Sequence, residues 1–203
     1  MIKNPKEEKT LVLIKPDGIQ RALAGEILGR FERVGLKLVA LKFLVPTPDQ
    51  AYGHYVKSEA EIEALGLRSI EGKKKSGIEV SEEPKALGKK IIDRLVTFLS
   101  AGPVIAMVLE GNHAVAITRK MVGSTEPLQS DVGTIRGDYT IDSYSLADYG
   151  DSGRAVRNLI HASANTDEAD YEIKIWFEPG EIISYKNAFD AILYDVNLDG
   201  ILE

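Results

Sequence analysis

Hydrophobic positions recur along this chain at two spacings, and those spacings predict its elements. Thr10–Lys15 (TLVLIK) is a short apolar run ended by Pro16-Asp17-Gly18, the pattern of a buried strand stopped by a turn. Leu23, Ile27, Leu28, Phe31 and Val34 then fall on one stripe, predicting an amphipathic helix over 23–34 that Gly35 closes. Leu36–Val45 reads as a second strand bounded by Pro46 and Pro48, and a short helix is expected from Pro48 to Val56 with Thr47 or Asp49 near its start. A longer helix is expected over Pro84–Ser100, with Leu87, Ile91, Leu95 and Phe98 or Leu99 facing the core. Val104–Leu109 (VIAMVL) is apolar almost throughout, as a central strand covered on both faces would be. His113–Val122 reads as a helix that Asn112 is placed to cap and Gly123 to end. Glu172–Phe177 (EIKIWF) alternates and is expected as the last strand.

Two stretches break this rhythm. Residues 57–83 are charged and lack sustained periodicity, with a helical signal only over Glu59–Leu65; residues 142–153 are rich in Asp, Ser, Tyr and Gly. Both read as inserted segments in one domain spanning 1–203, which ends in a tail over 179–203 with a helical signal at Lys186–Tyr194. The element order predicts an α+β fold: a ferredoxin-like four-stranded antiparallel sheet with helices packed on one face. Fold of this kind does not specify function.

Composition narrows the function classes. The chain has 203 residues, 44% hydrophobic, with a net charge of −6, so it can bury a core and offers no broad basic surface for nucleic acid or anionic lipid. No cysteine is present, which removes disulfides, thiolate nucleophiles and cysteine-bound zinc. MIKNPKEEKT carries no apolar stretch after its charges, and no run is long enough to span a bilayer; a cytoplasmic protein is expected.

Candidate chemistry is sparse. Of the histidines, His54 and His113 read as structural, packed or exposed within helical segments, whereas His161 lies among small and polar residues in Arg157-Asn158-Leu159-Ile160-His161-Ala162-Ser163. An imidazole can attack phosphorus directly if its second nitrogen is held by an acceptor; Glu172 and Glu168 are candidates, with Ser163 orienting either. Phosphoryl transfer also needs cations around the moving group, and Lys15, Arg119, Arg136 and Arg157 stand at element ends or in loops. Residues 66–76 (GLRSIEGKKKS) contain Gly-Lys, but Leu67 stands where a phosphate-binding loop needs its first glycine. Asp195–Gly200 resembles half of a calcium loop, yet the chain ends before the required distal glutamate.

Asn158-Leu159-Ile160-His161-Ala162-Ser163 resembles the N-x-x-H-[GA]-S signature of nucleoside diphosphate kinases, and the resemblance is collinear across residues 9–185. Ile14-Lys15-Pro16-Asp17-Gly18, Gly25-Glu26-Ile27, His54-Tyr55, Gly102-Pro103-Val104, Glu110-Gly111, Gly133–Asp138 and Glu172 through Trp176-Phe177 follow the family's order. The resemblance implies that His161 takes the terminal phosphate of a triphosphate and passes it to a diphosphate. It implies that Glu172, steadied by Ser163, orients the ring, and that Lys15, Tyr55, Arg119, Thr125 and Arg136 line the phosphates. Asn158 and Lys15 would meet the sugar, and Mg2+ would bridge the phosphates with few protein ligands. A homo-oligomer, tetramer or hexamer built from dimers, is likewise implied, with no membrane or specific nucleic-acid partner.

The chain departs from the family pattern in four ways. About 28 extra residues follow His54-Tyr55, and Ile91 falls nearest the place of the aromatic that usually stacks on the base. A dozen extra residues precede Arg157. Ala164 replaces a common acidic residue, with Asn165 and Asp167 nearby as substitutes, and the tail is long. Two other readings stay open: a catalytically weak nucleotide sensor or scaffold of the same fold, and a nucleic-acid-binding module. The second lacks the sheet-surface aromatics that such a module uses.

Overall fold

The computed structural model describes residues 7–194 and 197–201, apart from 57, 76, 150–152 and 198. Of the calcium-loop resemblance at 195–200, residues 195, 196 and 198 fall outside the described residues.

A sheet of four strands in the order β2-β3-β1-β4 forms the centre: β1 Glu8–Ile14, β2 Lys37–Leu44, β3 Val104–Gly111 and β4 Ile160–Ala162. All pairings are antiparallel. Alternation along β1 sorts its side chains to two cores. Val12 and Ile14 join Met107 and Leu109 against α2 (Ala24–Arg33) and α6 (Ala114–Val122), where Ile27, Phe31, Ala114 and Val122 are buried. Leu11 and Leu13 join Ala106 and Val108 against α3 (Pro48–Tyr55), α5 (Pro84–Ser100) and α9 (Thr166–Trp176), through Ala51, Leu99, Ile173 and Trp176. Helices therefore cover both faces, not one. This explains why VIAMVL needed no polar face.

Several elements differ from the sequence reading. Glu172–Phe177 is not a strand: Glu172 to Trp176 completes α9, whose buried residues Ala169, Glu172, Ile173 and Trp176 keep helical spacing once Glu172 is counted as inward-facing. The fourth strand is instead the three-residue β4, too short to show alternation. Pro16–Gln20 forms a short helix, α1, with Pro16 in the first turn. On α5 the buried positions are Leu87, Gly88, Ile92 and Leu99, so Ile91 and Leu95 are only half-buried. Asn112 does not cap α6; His113 takes that position with φ of 50°, and Glu8 accepts the Val115 N–H at 2.8 Å.

The first inserted stretch is mostly one helix, α4 (Glu59–Lys75), running back along α5. Gly66 and Gly88 make that packing close: a Cβ on Gly66 would sit 1.8 Å from the Pro84 carbonyl oxygen, and one on Gly88 1.9 Å from that of Ile62. Further along, a short helix α7 (Ile135–Tyr139) precedes the second inserted stretch, which itself contains α8 (Tyr144–Ala147). The tail lies along the outer edge of β2, where the Ile183 N–H donates to the Val39 carbonyl at 2.8 Å and the Tyr185 hydroxyl to that of Leu38 at 3.0 Å. It carries α10 (Asp190–Tyr194), shorter than the 186–194 helix expected.

Candidate active site

The short pairing of β4 with β1 builds the site. Leu13 lies opposite His161, and Lys15 follows two residues later, where strand alternation returns it to the same face. On that face α9 supplies Glu172, 1% exposed, whose Oε2 stands 2.9 Å from His161 Nε2 and accepts the Ser163 hydroxyl at 2.6 Å. Ser163 is pinned in turn by the Leu11 N–H, which donates to its Oγ at 3.3 Å. Asn165 explains how α9 is aimed: its side chain accepts the Glu168 N–H and starts the helix about two turns before Glu172. Glu168, the other acceptor considered, receives the Ala164 N–H at 3.2 Å.

With Nε2 engaged by a carboxylate, the histidine's proton belongs on Nε2 and Nδ1 keeps its lone pair. Burial, assisted by Lys15, holds the His161 pKa well below the ordinary 6.5; Glu168 opposes the shift, and Arg136 and Arg119 reinforce it. The ring is therefore neutral at physiological pH, as a nucleophile must be.

Cations approach from the strand ends. Lys15 Nζ donates to Asn158 Oδ1 at 2.8 Å, and burial with Arg136 alongside lowers its pKa to about 8, against a smaller upward pull from Asp17. Asn158 is 2% exposed and donates through Nδ2 to the Thr125 carbonyl at 2.9 Å. Arg119 is half-buried and reaches the Ala162 carbonyl at 3.3 Å. Arg136 is spent differently from a simple phosphate ligand: its guanidinium donates to the carbonyls of Gly123, Ser124, Asn158 and Ile160. Burial and Arg119 lower its pKa to about 10, which leaves it charged at neutral pH. It thus acts as a clamp on the loops that carry Asn158 and His161 while adding a positive field.

Tyr55 packs edge-on to His54, with ring centroids 4.9 Å apart. Its hydroxyl is buried without a hydrogen-bond partner among the described residues, and burial raises its pKa above the ordinary 10, so it remains a donor. Ile91 stays on α5, and nothing described ties it to this cluster. Arg157 is exposed and lines a separate polar groove with Gln20, Arg21 and Asp142.

His54, read as structural and packed or exposed, is buried and packs against His161 with centroids 4.4 Å apart at 85°, and its Nδ1 lies 3.7 Å from Glu172 Oε1, so its packing adjoins the site. Trp176 Nε1 donates to that nitrogen at 3.4 Å. The available signal was the pair His54-Tyr55 itself, two side chains that reach one site from the end of α3.

The site's residues fall within a match to the family model described as Nucleoside diphosphate kinase, which spans residues 8–64 and 83–182. The chain belongs to the nucleoside diphosphate kinase family. A curated nucleoside diphosphate kinase of Pyrobaculum aerophilum is 42% identical over 181 residues, covering 87% of this chain and 98% of its own. The crystal structure of the NDP kinase from the same organism superposes with a TM-score of 0.83 at 41% identity, over 88% of this chain and 100% of that one. A transition-state mimic of the Borrelia burgdorferi kinase, with vanadate and ADP bound, gives a TM-score of 0.77 at 34% identity, over 94% and 99% of the two chains. The family match leaves out residues 65–82, the second half of α4 and the loop after it.

Proposed function

We propose that the protein moves the terminal phosphate of a nucleoside triphosphate to a nucleoside diphosphate in two half-reactions through a phosphohistidine on His161. The observation that carries this reading is the Ser163–Glu172–His161 chain, which fixes one imidazole nitrogen and leaves the other unprotonated beside Lys15 and Arg119. In the first half-reaction the Nδ1 lone pair attacks the terminal phosphorus, the bond from phosphorus to the bridging oxygen breaks, and the nucleoside diphosphate leaves. Glu172 balances the positive charge that grows on the ring. A second diphosphate then attacks the phosphoimidazole, and His161 is regenerated. Lys15, Arg119, the Tyr55 hydroxyl and the field of Arg136 stabilise charge on the transferring oxygens, while Asn158 and Lys15 serve the sugar and Thr125 the phosphate side.

Among the described residues, none builds a magnesium site of its own. The groups that pool ligand atoms, His54, His161 and Glu172, all within 4.8 Å of one another, offer two imidazoles and a carboxylate already engaged, whereas Mg2+ takes octahedral oxygens. Asn165 uses its Oδ1 on the α9 cap. The ion therefore belongs to the incoming nucleotide's phosphates, and no step above runs through it.

The protein works as a homo-oligomer, a tetramer or hexamer of dimers, in the cytoplasm. Supporting this, edge strand β2 and its end present Leu41, Phe43 and Val45 to solvent at 45%, 64% and 60% exposure. No described helix is long and apolar enough to cross a membrane. The two inserted stretches cover the nucleotide site or alter subunit contacts. The test is incubation with γ-labelled ATP and magnesium. Acid-labile, alkali-stable label on His161, discharged by a nucleoside diphosphate, is the expected result; bound nucleotide without label would identify a sensor instead.

A further inference from the structure

Leu159 stands two residues before the nucleophile with φ of 65°, a left-handed backbone that a branched, buried side chain adopts only under constraint. The Ile160 N–H donates to the Asn158 carbonyl at 2.7 Å across it, closing a strained three-residue turn. That turn decides where two site residues point, since Asn158 precedes it and His161 follows it. What holds it comes largely from the segment that follows β1, the strand paired with β4. Asp17 Oδ2 accepts the Leu159 N–H at 3.0 Å, and the Lys15 N–H donates to the Leu159 carbonyl at 2.8 Å. Gly18 permits this approach, because a Cβ there would lie 3.1 Å from that carbonyl and 2.7 Å from Ile14 Cγ2. Arg136 grips the two flanking carbonyls.

Asp17 is 5% exposed, and its Oδ1 has no hydrogen-bond partner among the described residues. A buried carboxylate with half its acceptors idle costs stability, so its retention calls for a local reason. The strained turn supplies one. We propose that Asp17 is a positioning residue for phosphoryl transfer: its carboxylate holds the left-handed turn at Leu159 and so fixes Asn158 and His161 relative to Lys15. Binding of the Leu159 N–H by a side chain, rather than by a strand partner, lets the backbone reverse without orphaning that donor. The proposal rests on the phosphohistidine reading above for its kinetic consequence, but its structural half can be measured without any chemistry.

The experiment compares the full-length protein with Asp17→Ala and Asp17→Asn. It measures hydrogen exchange at the Leu159 amide alongside kcat and nucleotide KM per folded molecule. Asp17→Ala is expected to expose the Leu159 amide and to lower kcat by roughly 10- to 100-fold, with KM changed much less, as sub-ångström misplacement of a reacting group does. Asp17→Asn keeps an oxygen for that N–H and is expected to restore both protection and most of kcat. Should the alanine variant fail to fold, the asparagine variant decides alone. Loss of both protection and kcat in Asp17→Ala with both kept in Asp17→Asn upholds the proposal; protection and full kcat retained in Asp17→Ala, a protected amide with a collapsed kcat, or an exposed amide with full kcat overturns it. Wild-type protein that forms no phosphohistidine would sink the functional reading instead, while Leu159 protection would still report whether Asp17 holds the turn.

Discussion

The histidine cleft and the α4–α5 hairpin are held together by opposite means. In the cleft, contacts are polar and buried: Glu172, Ser163, Lys15, Asn158 and Arg136 bond to one another or to backbone within the described core. In the hairpin, backbones meet almost directly through Gly66 and Gly88, while charge pairs such as Lys85–Glu59 stay in solvent. A buried network fails when one partner is removed, because the others are left unsatisfied. A glycine-mediated contact tolerates charge changes but not a methyl group. The cleft is therefore sensitive to chemistry and the hairpin to volume.

The largest effect is expected where the network is densest. Glu172→Ala removes the acceptor of both the His161 ring and the Ser163 hydroxyl, so the imidazole loses its fixed tautomer. We expect kcat to fall on the order of 10²- to 10⁴-fold, the scale seen when an imidazole loses its orienting carboxylate. Stopped-flow measurement of phosphoenzyme formation checks it. A drop confined to KM would show that the carboxylate serves binding rather than orientation.

Next comes volume in the hairpin. Gly66→Ala forces α4 away from the Pro84 carbonyl and should cost about 1–3 kcal/mol in chemical denaturation, the usual scale of overpacking. Phosphate transfer per folded molecule should hold steady, since Gly66 touches no cleft residue described above. Equal loss of stability and transfer would tie the hairpin to the cleft more closely than the comparison allows.

The same contrast explains what could be read from the chain. Long periodic stretches such as Ile27 and Phe31 on α2, or VIAMVL on β3, carried their own signal, and the collinear motifs pointed to His161, Glu172, Ser163 and Lys15, which the fold brings together. What escaped was set by tertiary contact. Glu172 looks polar in sequence yet faces inward, so EIKIWF imitated a strand. The charged stretch over 57–83 showed a helical signal only over Glu59–Leu65, although α4 runs on to Lys75 and packs on α5 through Gly66, where only hydrogen fits. His54 and Asp17 became legible only once β4 and α9 brought distant residues to them.

A smaller, pH-dependent effect belongs to Lys15, whose pKa is lowered to about 8. Nucleotide phosphate beside it favours the ammonium, so the complex keeps its proton to higher pH than the free protein. Affinity should be independent of this group below pH 8, then fall by up to about tenfold per pH unit above it until the complex also titrates. Lys15→Gln should flatten that limb in calorimetric titrations. For folding the sign is reversed: between pH 8 and 10.5 the folded chain binds fewer protons than the unfolded one, so this group makes the fold more stable as pH rises.

The smallest effect tests whether the two inserted stretches act as one. Asp148, from the second, lies 3.1 Å from Lys73 on α4 and 3.4 Å from Arg94 on α5, with its side chain 38% exposed. Solvent screens such pairs, so Asp148→Asn should cost less than about 1 kcal/mol in thermal unfolding at low salt. At 1 M salt, where the screening length is about 3 Å, the difference should vanish. A loss that persists at high salt, or one accompanied by weaker nucleotide binding, would mean that this bridge shapes the cleft. The inserted stretches would then share the chemical sensitivity of the histidine site rather than the volume sensitivity of the hairpin.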